Sequence, residues 1–260
     1  MMTNELLKYY SQLKQKRHRT IEHKFLVEGT KLVTEGIESR LTCEIVFMNH
    51  EYVSGAHLSE EEIKDFTKKL RSKSIRHEII KNKELEKLTE TENPQGIVGV
   101  FNKPQKREID SRGVIIGLES INDPGNVGTI LRNCAWFGFR DVLISRESAD
   151  LYNSKVVRSS MGAIFHLNII EGVSMPKYGA ELKRDGYKIF IADLDGPNLS
   201  EINFREKKVL LVLCNEANGP TLDILNICDS KITIPRFGKA ESLNVASASA
   251  ILLAKLRNIF

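Results

Sequence analysis

Cysteines are few in this sequence, and they lie far apart. The four in 260 residues are Cys43, Cys134, Cys214 and Cys228, and no two of them form a C-x-x-C pair. A disulfide framework or a structural zinc site would need clustered ligands. We therefore expect neither of them, and no bound metal.

Long apolar runs are also lacking. The longest uncharged stretch near the C-terminus, Ser242 to Ala254, contains several polar residues, whereas a membrane-spanning helix needs about 18 or more apolar residues. The N-terminal residues show no apolar core followed by a small-residue cleavage site. We therefore expect a cytoplasmic protein that does not bind a membrane.

Several motifs of common enzyme classes are absent. The sequence has no G-x-x-x-x-G-K-[ST], no G-x-G-x-x-G, no H-E-x-x-H and no G-x-S-x-G. These absences argue against a P-loop nucleotidase, a Rossmann dinucleotide enzyme, a zincin protease and a hydrolase with a nucleophile elbow.

The chain as a whole has no large excess of one charge, since 38 basic and 34 acidic residues leave a net charge of +4. A local excess lies between Lys8 and Lys31, where seven lysines and arginines stand against two glutamates. Such a stretch can bind an RNA phosphate backbone, and Arg17, Arg19 and Lys24 are the candidates for that contact. The alternative is a solvated helix face, which charge alone favours.

The first hundred residues alternate short apolar runs with charged helical stretches. The spacing of Ile63, Phe66 and Leu70 predicts a helix over residues 60–73. Runs rich in β-branched and aromatic residues predict strands that include 25–29, 44–49 and 96–101. This pattern is typical of a small α/β domain.

The second half alternates strands and helices more regularly. Several of its strands, such as VIIGLES and VLLVLCN, are continuously apolar, which predicts a mostly parallel sheet with helices on both faces. The run IFHLNII is predicted as a strand with His166 in the core, and Trp136 and Phe137 are predicted as core residues of a helix. We divide the chain into a domain at 1–103, a linker at 104–113 and a domain at 114–260.

Three polar loops of the second half each follow an apolar strand. They are NDPGNVGTILR from Asn122, CNEANGP from Cys214 and IPRFGKAESLNVASASA from Ile234. Ligands of open α/β sheets bind where the carboxyl ends of strands converge, so these loops predict one pocket. For any single loop, glycine and asparagine serving a turn is the simpler interpretation.

The order and content of these loops resemble the three motifs of the SpoU (TrmH) family, RNA 2′-O-ribose methyltransferases of the SPOUT superfamily. The similarity covers Val114 to Phe260. The N-terminal half, with R-x-x-x-x-x-K-F-L-V-E-G from Arg19 and P-Q-G-I-V-G-V, resembles the substrate-binding domain of larger family members, an α/β RNA-binding module of ribosomal-protein type.

This resemblance implies a deep trefoil knot in the C-terminal sheet, a homodimer, S-adenosylmethionine as cofactor, and no metal. It also implies methyl transfer to a ribose 2′-hydroxyl, the group that distinguishes RNA from DNA. The two-domain organisation favours large-subunit ribosomal RNA as substrate. A tRNA ribose methyltransferase is one alternative, and a catalytically weak or inactive RNA-binding protein acting in ribosome assembly is another.

The resemblance also assigns residues. It places the catalytic set at Asn126, Arg132, Glu216, Ser242 and Asn244. It places the cofactor contacts, largely through the backbone, at Cys214, Asn215, Gly219, Ile234 and Leu243.

The sequence departs from the family pattern at three positions. Cys214 and Ala217 stand where the family usually has glycine, and Arg236 stands where it has methionine. If a glycine position needs a positive φ, a side chain there costs strain. Because a guanidinium is always charged, we interpret Arg132 as a ligand of an RNA phosphate or of the developing alkoxide, and not as a base.

Overall fold

The computed structural model describes residues 3–55, 59–105, 108–109, 113–202, 204, 207–215 and 219–259. The chain divides into two compact units. The first contains Met1–Gln105 and Tyr152–Phe165, and the second contains Lys106–Leu151 and His166–Phe260.

The first unit is an α/β unit, as its sequence pattern predicts. Its helices are α1 (Asn4–Ser11), α2 (Lys16–Glu22), α3 (Thr30–Glu38), α4 (His50–Val53), α5 (Glu60–Ser72) and α6 (Asn82–Leu88). Its strands are β1 (Lys24–Glu28), β2 (Cys43–Asn49), β3 (Arg76–Ile80) and β4 (Ile97–Asn102), in the order β1-β4-β2-β3.

The sheet of this unit is mixed, because β4 runs antiparallel to both β1 and β2, whereas β2 and β3 are parallel. Its core packs α1 and α6 onto the sheet through residues such as Tyr10, Phe47 and Leu88. Helix α5 begins at a capping box of Ser59 and Glu62. It buries Ile63, Phe66 and Leu70, which confirms the predicted helix.

A segment from the second half of the sequence, Tyr152–Phe165, also belongs to the first unit. It carries helix α8 (Ser154–Ser159), from which Arg158 pairs with the buried Glu28 at 3.4 Å. Glu28 also accepts a hydrogen bond from the Glu90 amide at 3.0 Å. The first unit thus holds a segment that the sequence pattern placed in the second domain, because pairings distant in sequence decide which residues pack together.

The second unit carries the larger sheet. Its strands are β5 (Val114–Glu119), β6 (Asp141–Ser145), β7 (Asn168–Val173), β8 (Lys188–Ala192), β9 (Val209–Cys214) and β10 (Ser230–Ile232). Its helices are α7 (Pro124–Trp136), α9 (Met175–Arg184), α10 (Leu222–Ile227) and α11 (Val245–Leu256).

The strand order is β10-β8-β9-β5-β6-β7, and every described pair of neighbours is parallel. This confirms the predicted fold class, while the knot stays a prediction. Along β9, Leu210 and Val212 pack with α9 and α10, and Leu213 faces the side of α11. Because both faces are covered, the central strands are apolar throughout.

The predicted core position of Trp136 is wrong. Trp136 is 82% exposed, because α7 buries the stripe of Val127, Ile130, Leu131 and Cys134, from which position 136 points away. Phe137 is half-buried.

The predicted strand around His166 begins too early. Ile164 and Phe165 lie in a 3₁₀ turn, His166 is exposed, and β7 begins only at Asn168. The reason is a reversal of the chain at Met161 and Gly162, which have φ of 47° and 92°.

No helix among the described residues is both long and apolar enough to cross a membrane.

Candidate active site

A cavity of about 490 Å³ lies in the second unit, at the carboxyl ends of β8, β9 and β10. This is the edge where open parallel sheets bind their ligands, and the volume suits a small organic molecule. All five predicted cofactor contacts line it, together with the predicted catalytic Ser242: Cys214, Asn215, Gly219, Ile234, Ser242 and Leu243.

The first and third motifs meet beside this cavity. Asn126 lies in the first turn of α7, where Asp123 caps the helix and accepts from the Asn126 amide at 2.9 Å. Asn244 caps α11 and accepts from the amides of Ala246 and Ser247. The side-chain nitrogen of Asn244 donates to the side-chain oxygen of Asn126 at 3.0 Å. Asn244 therefore caps the start of α11 and also contacts the first motif.

Helices α7 and α11 run parallel from this contact. Further along, Asn133 donates to the Ala246 carbonyl at 3.0 Å and to the Ser249 hydroxyl at 2.9 Å. At the far end, Arg257 donates to the carbonyls of Phe137 and Gly138. Sequence reasoning missed Asn133, although its place seven residues after Asn126 puts both on one face of a helix.

Arg132 is exposed and is not among the residues that line the cavity. It lies six residues after Asn126 on the same helix, which is about 9 Å along the axis and about 120° around it. Asn126 is itself helical, so no loop carries it back towards Arg132. Within the described residues, the guanidinium of Arg132 has no hydrogen-bond or ion-pair partner, so its charge is open to a ligand.

The second motif carries the first departure from the family pattern, and there it causes no strain. Cys214 ends strand β9 and is not among the residues with positive φ. Its thiol packs in the apolar cluster with Met175 and Ile224 on the other side of the sheet, and burial raises the pKa of this thiol to about 12. The cysteine side chain therefore leaves the cavity unobstructed.

The rest of the second motif is tied to the segment just before the first motif. The side chain of Asn215 donates to the carbonyl of Ser120 at 3.0 Å, and Ser120 has a φ of 55°. Gly219 has a φ of 62°, and its amide donates to the Asn215 carbonyl at 2.9 Å. The predicted catalytic Glu216 and the departure at Ala217 lie outside the described residues.

In the third motif, Arg236 has a local contact. Its guanidinium donates to the carbonyls of Ala240 at 3.2 Å and Glu241 at 3.3 Å. Arg236 therefore closes the loop that precedes Ser242, a function that methionine could not perform.

A buried polar network, which sequence reasoning also missed, supports the first motif from below. The hydroxyl of Ser145 accepts from the Ser120 amide, and that of Ser148 accepts from the Ile121 amide, both at 3.0 Å. Glu119 is buried beside them, and desolvation together with Glu147 raises its pKa. These side chains hold the turn between β5 and α7. The only sequence signal was polar residues at the ends of two apolar strands.

The three residues predicted to contact RNA in the first unit differ in their burial and in their partners. Arg19 is 4% exposed and donates to the carbonyls of Leu13 and Lys14 at 2.9 and 2.6 Å, so it braces the fold and is not open to a phosphate. Lys24 is largely buried and pairs with Glu44 at 2.5 Å. Arg17 is exposed, and its RNA contact stays a prediction.

The described residues contain no group of three or more histidine, cysteine, aspartate or glutamate side chains that could hold a metal ion. Asp193 pairs with Lys231 at 2.6 Å.

The parallel sheet with a site at its carboxyl edge defines an α/β protein with a ligand-binding cavity, and comparison with known proteins shows its family. Residues 113–254 match the SpoU rRNA Methylase family, and residues 4–99 match the MRM3-like substrate binding domain. The chain belongs to the SpoU rRNA methylase family.

Individual proteins are similar over nearly the whole length. The 23S rRNA (guanosine(2553)-2′-O)-methyltransferase RlmP of Bacillus subtilis is 31% identical over 98% of this chain and 96% of its own. The mitochondrial rRNA methyltransferase 3 of Mus musculus is 24% identical over 93% of this chain and 69% of its own. A putative TrmH-family RNA methyltransferase from Porphyromonas gingivalis has a TM-score of 0.85 at 29% identity, covering 100% of both chains.

Proposed function

We propose that this protein is an S-adenosylmethionine-dependent methyltransferase that modifies a ribose 2′-hydroxyl of large-subunit ribosomal RNA. The observation that carries the proposal is the cavity whose lining includes Leu243 and Val245, the two neighbours of Asn244, which in turn contacts Asn126. Family membership and the activity in the name of the Bacillus subtilis relative support the reaction and the RNA class.

The cavity suits the cofactor. Its apolar lining from Leu213, Ile234 and Leu252 can bury an adenine ring. Backbone groups at the strand ends offer hydrogen bonds there, and the Cys214 thiol takes no space from it. When bound, S-adenosylmethionine supplies an electrophilic methyl group.

The residues around the cavity position the acceptor. Asn126 and Asn244 are locked by each other and by their helix starts, so they present fixed polar groups. The exposed hydroxyl of Ser242 stands at the rim. Holding a hydroxyl in line with the methyl group can supply several kcal/mol of the rate acceleration.

Arg132 supplies a positive charge that can bind an anion. Being exposed and uncommitted among the described residues, its guanidinium can bind an RNA phosphate or the alkoxide that develops as the hydroxyl loses its proton. The proton then leaves to phosphate or water. Glu216, from the same motif set, completes the proposed catalytic group.

A homodimer is part of this proposal. Apolar side chains on the second unit are strongly exposed, with Trp136 at 82% and Phe237 at 96%, and such exposure marks interaction surfaces. Light scattering after size exclusion tests it. Trp136→Glu should shift the protein from dimer to monomer if Trp136 lies in the interface.

The test of the reaction is to map 2′-O-methylation in RNA from cells with and without the gene, and to assay methyl transfer to purified ribosomal RNA and tRNA. We expect one ribosomal nucleotide to lose its methyl group. Methylation of tRNA alone would show that the substrate is tRNA and not ribosomal RNA. Absence of any transfer, with RNA binding retained, would leave an assembly factor, an alternative that the unstrained Cys214 does not favour.

A further inference from the structure

One carboxylate in the wall of the cavity has no place in the reaction described so far. Asp193 directly follows strand β8 and lines the cavity, with its side chain 14% exposed. The other charged residues in the described lining, Arg236 and Glu241, are exposed. Among the charged side chains in the described lining, Asp193 is therefore the one that is largely buried.

The Asp193 carboxylate is held firmly. One oxygen, Oδ1, accepts from the Leu194 amide at 2.7 Å, and Oδ2 pairs with the Lys231 ammonium at 2.6 Å. The backbone is fixed as well, because its amide donates to the Ile232 carbonyl and its carbonyl accepts from the Thr233 hydroxyl. Each carboxylate oxygen has two acceptor positions, so each retains one.

Charge decides which part of the cofactor suits this group. The Asp193–Lys231 pair is already neutral overall, and the hydrogen bond to Asp193 raises the pKa of Lys231. A second ammonium, such as that of the methionine moiety, would set two cations against one carboxylate. Two neutral hydroxyl donors on adjacent carbons match two remaining acceptor positions, and an acidic side chain serves a ribose hydroxyl in the same way in doubly wound dinucleotide sites.

We propose that Asp193 binds the 2′- and 3′-hydroxyls of the cofactor's ribose and makes the cavity specific for adenosine with an intact diol. The inference rests on the proposed function, because it places S-adenosylmethionine in this cavity. Asp193 is then a specificity-determining residue, and Lys231 holds its carboxylate in position.

Calorimetry on the full-length protein tests this without measuring turnover. The compounds are S-adenosylhomocysteine, its 2′-deoxy analogue and 5′-methylthioadenosine, which keeps the ribose but lacks the ammonium. The wild-type protein should bind the deoxy analogue about tenfold more weakly, as expected for loss of a hydrogen bond to a charged group. In Asp193→Asn, S-adenosylhomocysteine and methylthioadenosine should both weaken about tenfold, and the deoxy penalty should fall below about threefold.

Asp195→Asn is the matched control, since Asp195 is an exposed carboxylate two residues further along, and it should bind all three compounds as wild type does. Melting curves with Asp193→Ala as a second variant separate lost binding from lost folding. Unchanged methylthioadenosine binding in Asp193→Asn would assign Asp193 to the ammonium and overturn the inference, as would equal wild-type affinity for the deoxy analogue. If the wild-type protein bound none of the compounds, the proposed function itself would fail.

Discussion

The amide nitrogen of Asn244 lies 3.0 Å from the side-chain oxygen of Asn126, joining two motifs 118 residues apart. The same Asn244 side chain caps α11 through its oxygen. Its two ends therefore perform separable tasks, helix capping by the oxygen and contact between motifs by the nitrogen.

Substitutions of Asn244 should separate these tasks. Asn244→Asp keeps an oxygen for the helix cap but loses the donor to Asn126, so we expect near-normal stability and a loss of methyl transfer. Asn244→Ala should lose both, with about 1 kcal/mol less stability from the missing cap. Denaturant unfolding and a methyl-transfer assay measure the two effects.

The control for cap loss is Ser59→Ala, which removes a cap from α5 in the first unit. It should cost about 1 kcal/mol of stability with methyl transfer maintained. Full activity of Asn244→Asp would show that the contact with Asn126 is dispensable.

Substitutions of Arg132 should leave cofactor binding unchanged while they lower the rate of methyl transfer. Because Arg132 does not line the cavity, Arg132→Ala and Arg132→Lys should bind S-adenosylmethionine as the wild type does. Arg132→Ala should lose at least about a hundredfold in turnover if it removes one interaction of roughly 3 kcal/mol in the transition state. Lys keeps the charge without the planar fork, so Arg132→Lys tests geometry. Near-normal turnover of Arg132→Ala on the correct RNA would remove it from the catalytic set.

Two basic residues of the first unit should behave in opposite ways. Arg17→Ala should flatten the slope of log affinity for RNA against log salt, making it less negative by about one unit, without a change in stability. Arg19→Ala should lower stability instead, since its buried guanidinium donates to the Leu13 and Lys14 carbonyls. Salt-dependent RNA binding and urea unfolding of both variants check this. An unchanged slope for Arg17→Ala would return this segment to a solvated helix face.

The buried Glu119 should make stability depend on pH. Desolvation raises the pKa of Glu119 in the folded protein. Ionising Glu119 at neutral pH therefore costs more free energy in the folded protein than in the unfolded protein. Below the unfolded pKa of about 4.3 the group is neutral in both states and the cost vanishes. Stability of Glu119→Gln relative to wild type should therefore rise as pH increases above about 4.3 and become constant above the folded pKa. Urea unfolding across this range measures it, and a constant difference between the two proteins would contradict the assignment.

How much the sequence determined by itself differs between the fold and the site. The apolar runs and helical spacing, such as Ile63, Phe66 and Leu70 in α5, were sufficient to predict the α/β class and the parallel sheet. A buried face of a helix or strand requires apolar residues at the period of that element, and this period can be read directly in the sequence. The three motif loops could be placed at one edge of the sheet, because parallel strands end there together.

Tertiary structure decided what local pattern cannot express. The burial of Arg19, the exposure of Trp136 and the membership of Tyr152–Phe165 in the first unit depend on which distant residues face each position. The Asn126–Asn244 contact and the Asp193–Lys231 pair likewise join residues that only chain folding brings within hydrogen-bond distance. A sequence specifies such pairs only through the whole fold, since each contact needs both partners fixed in space before either side chain has a defined role.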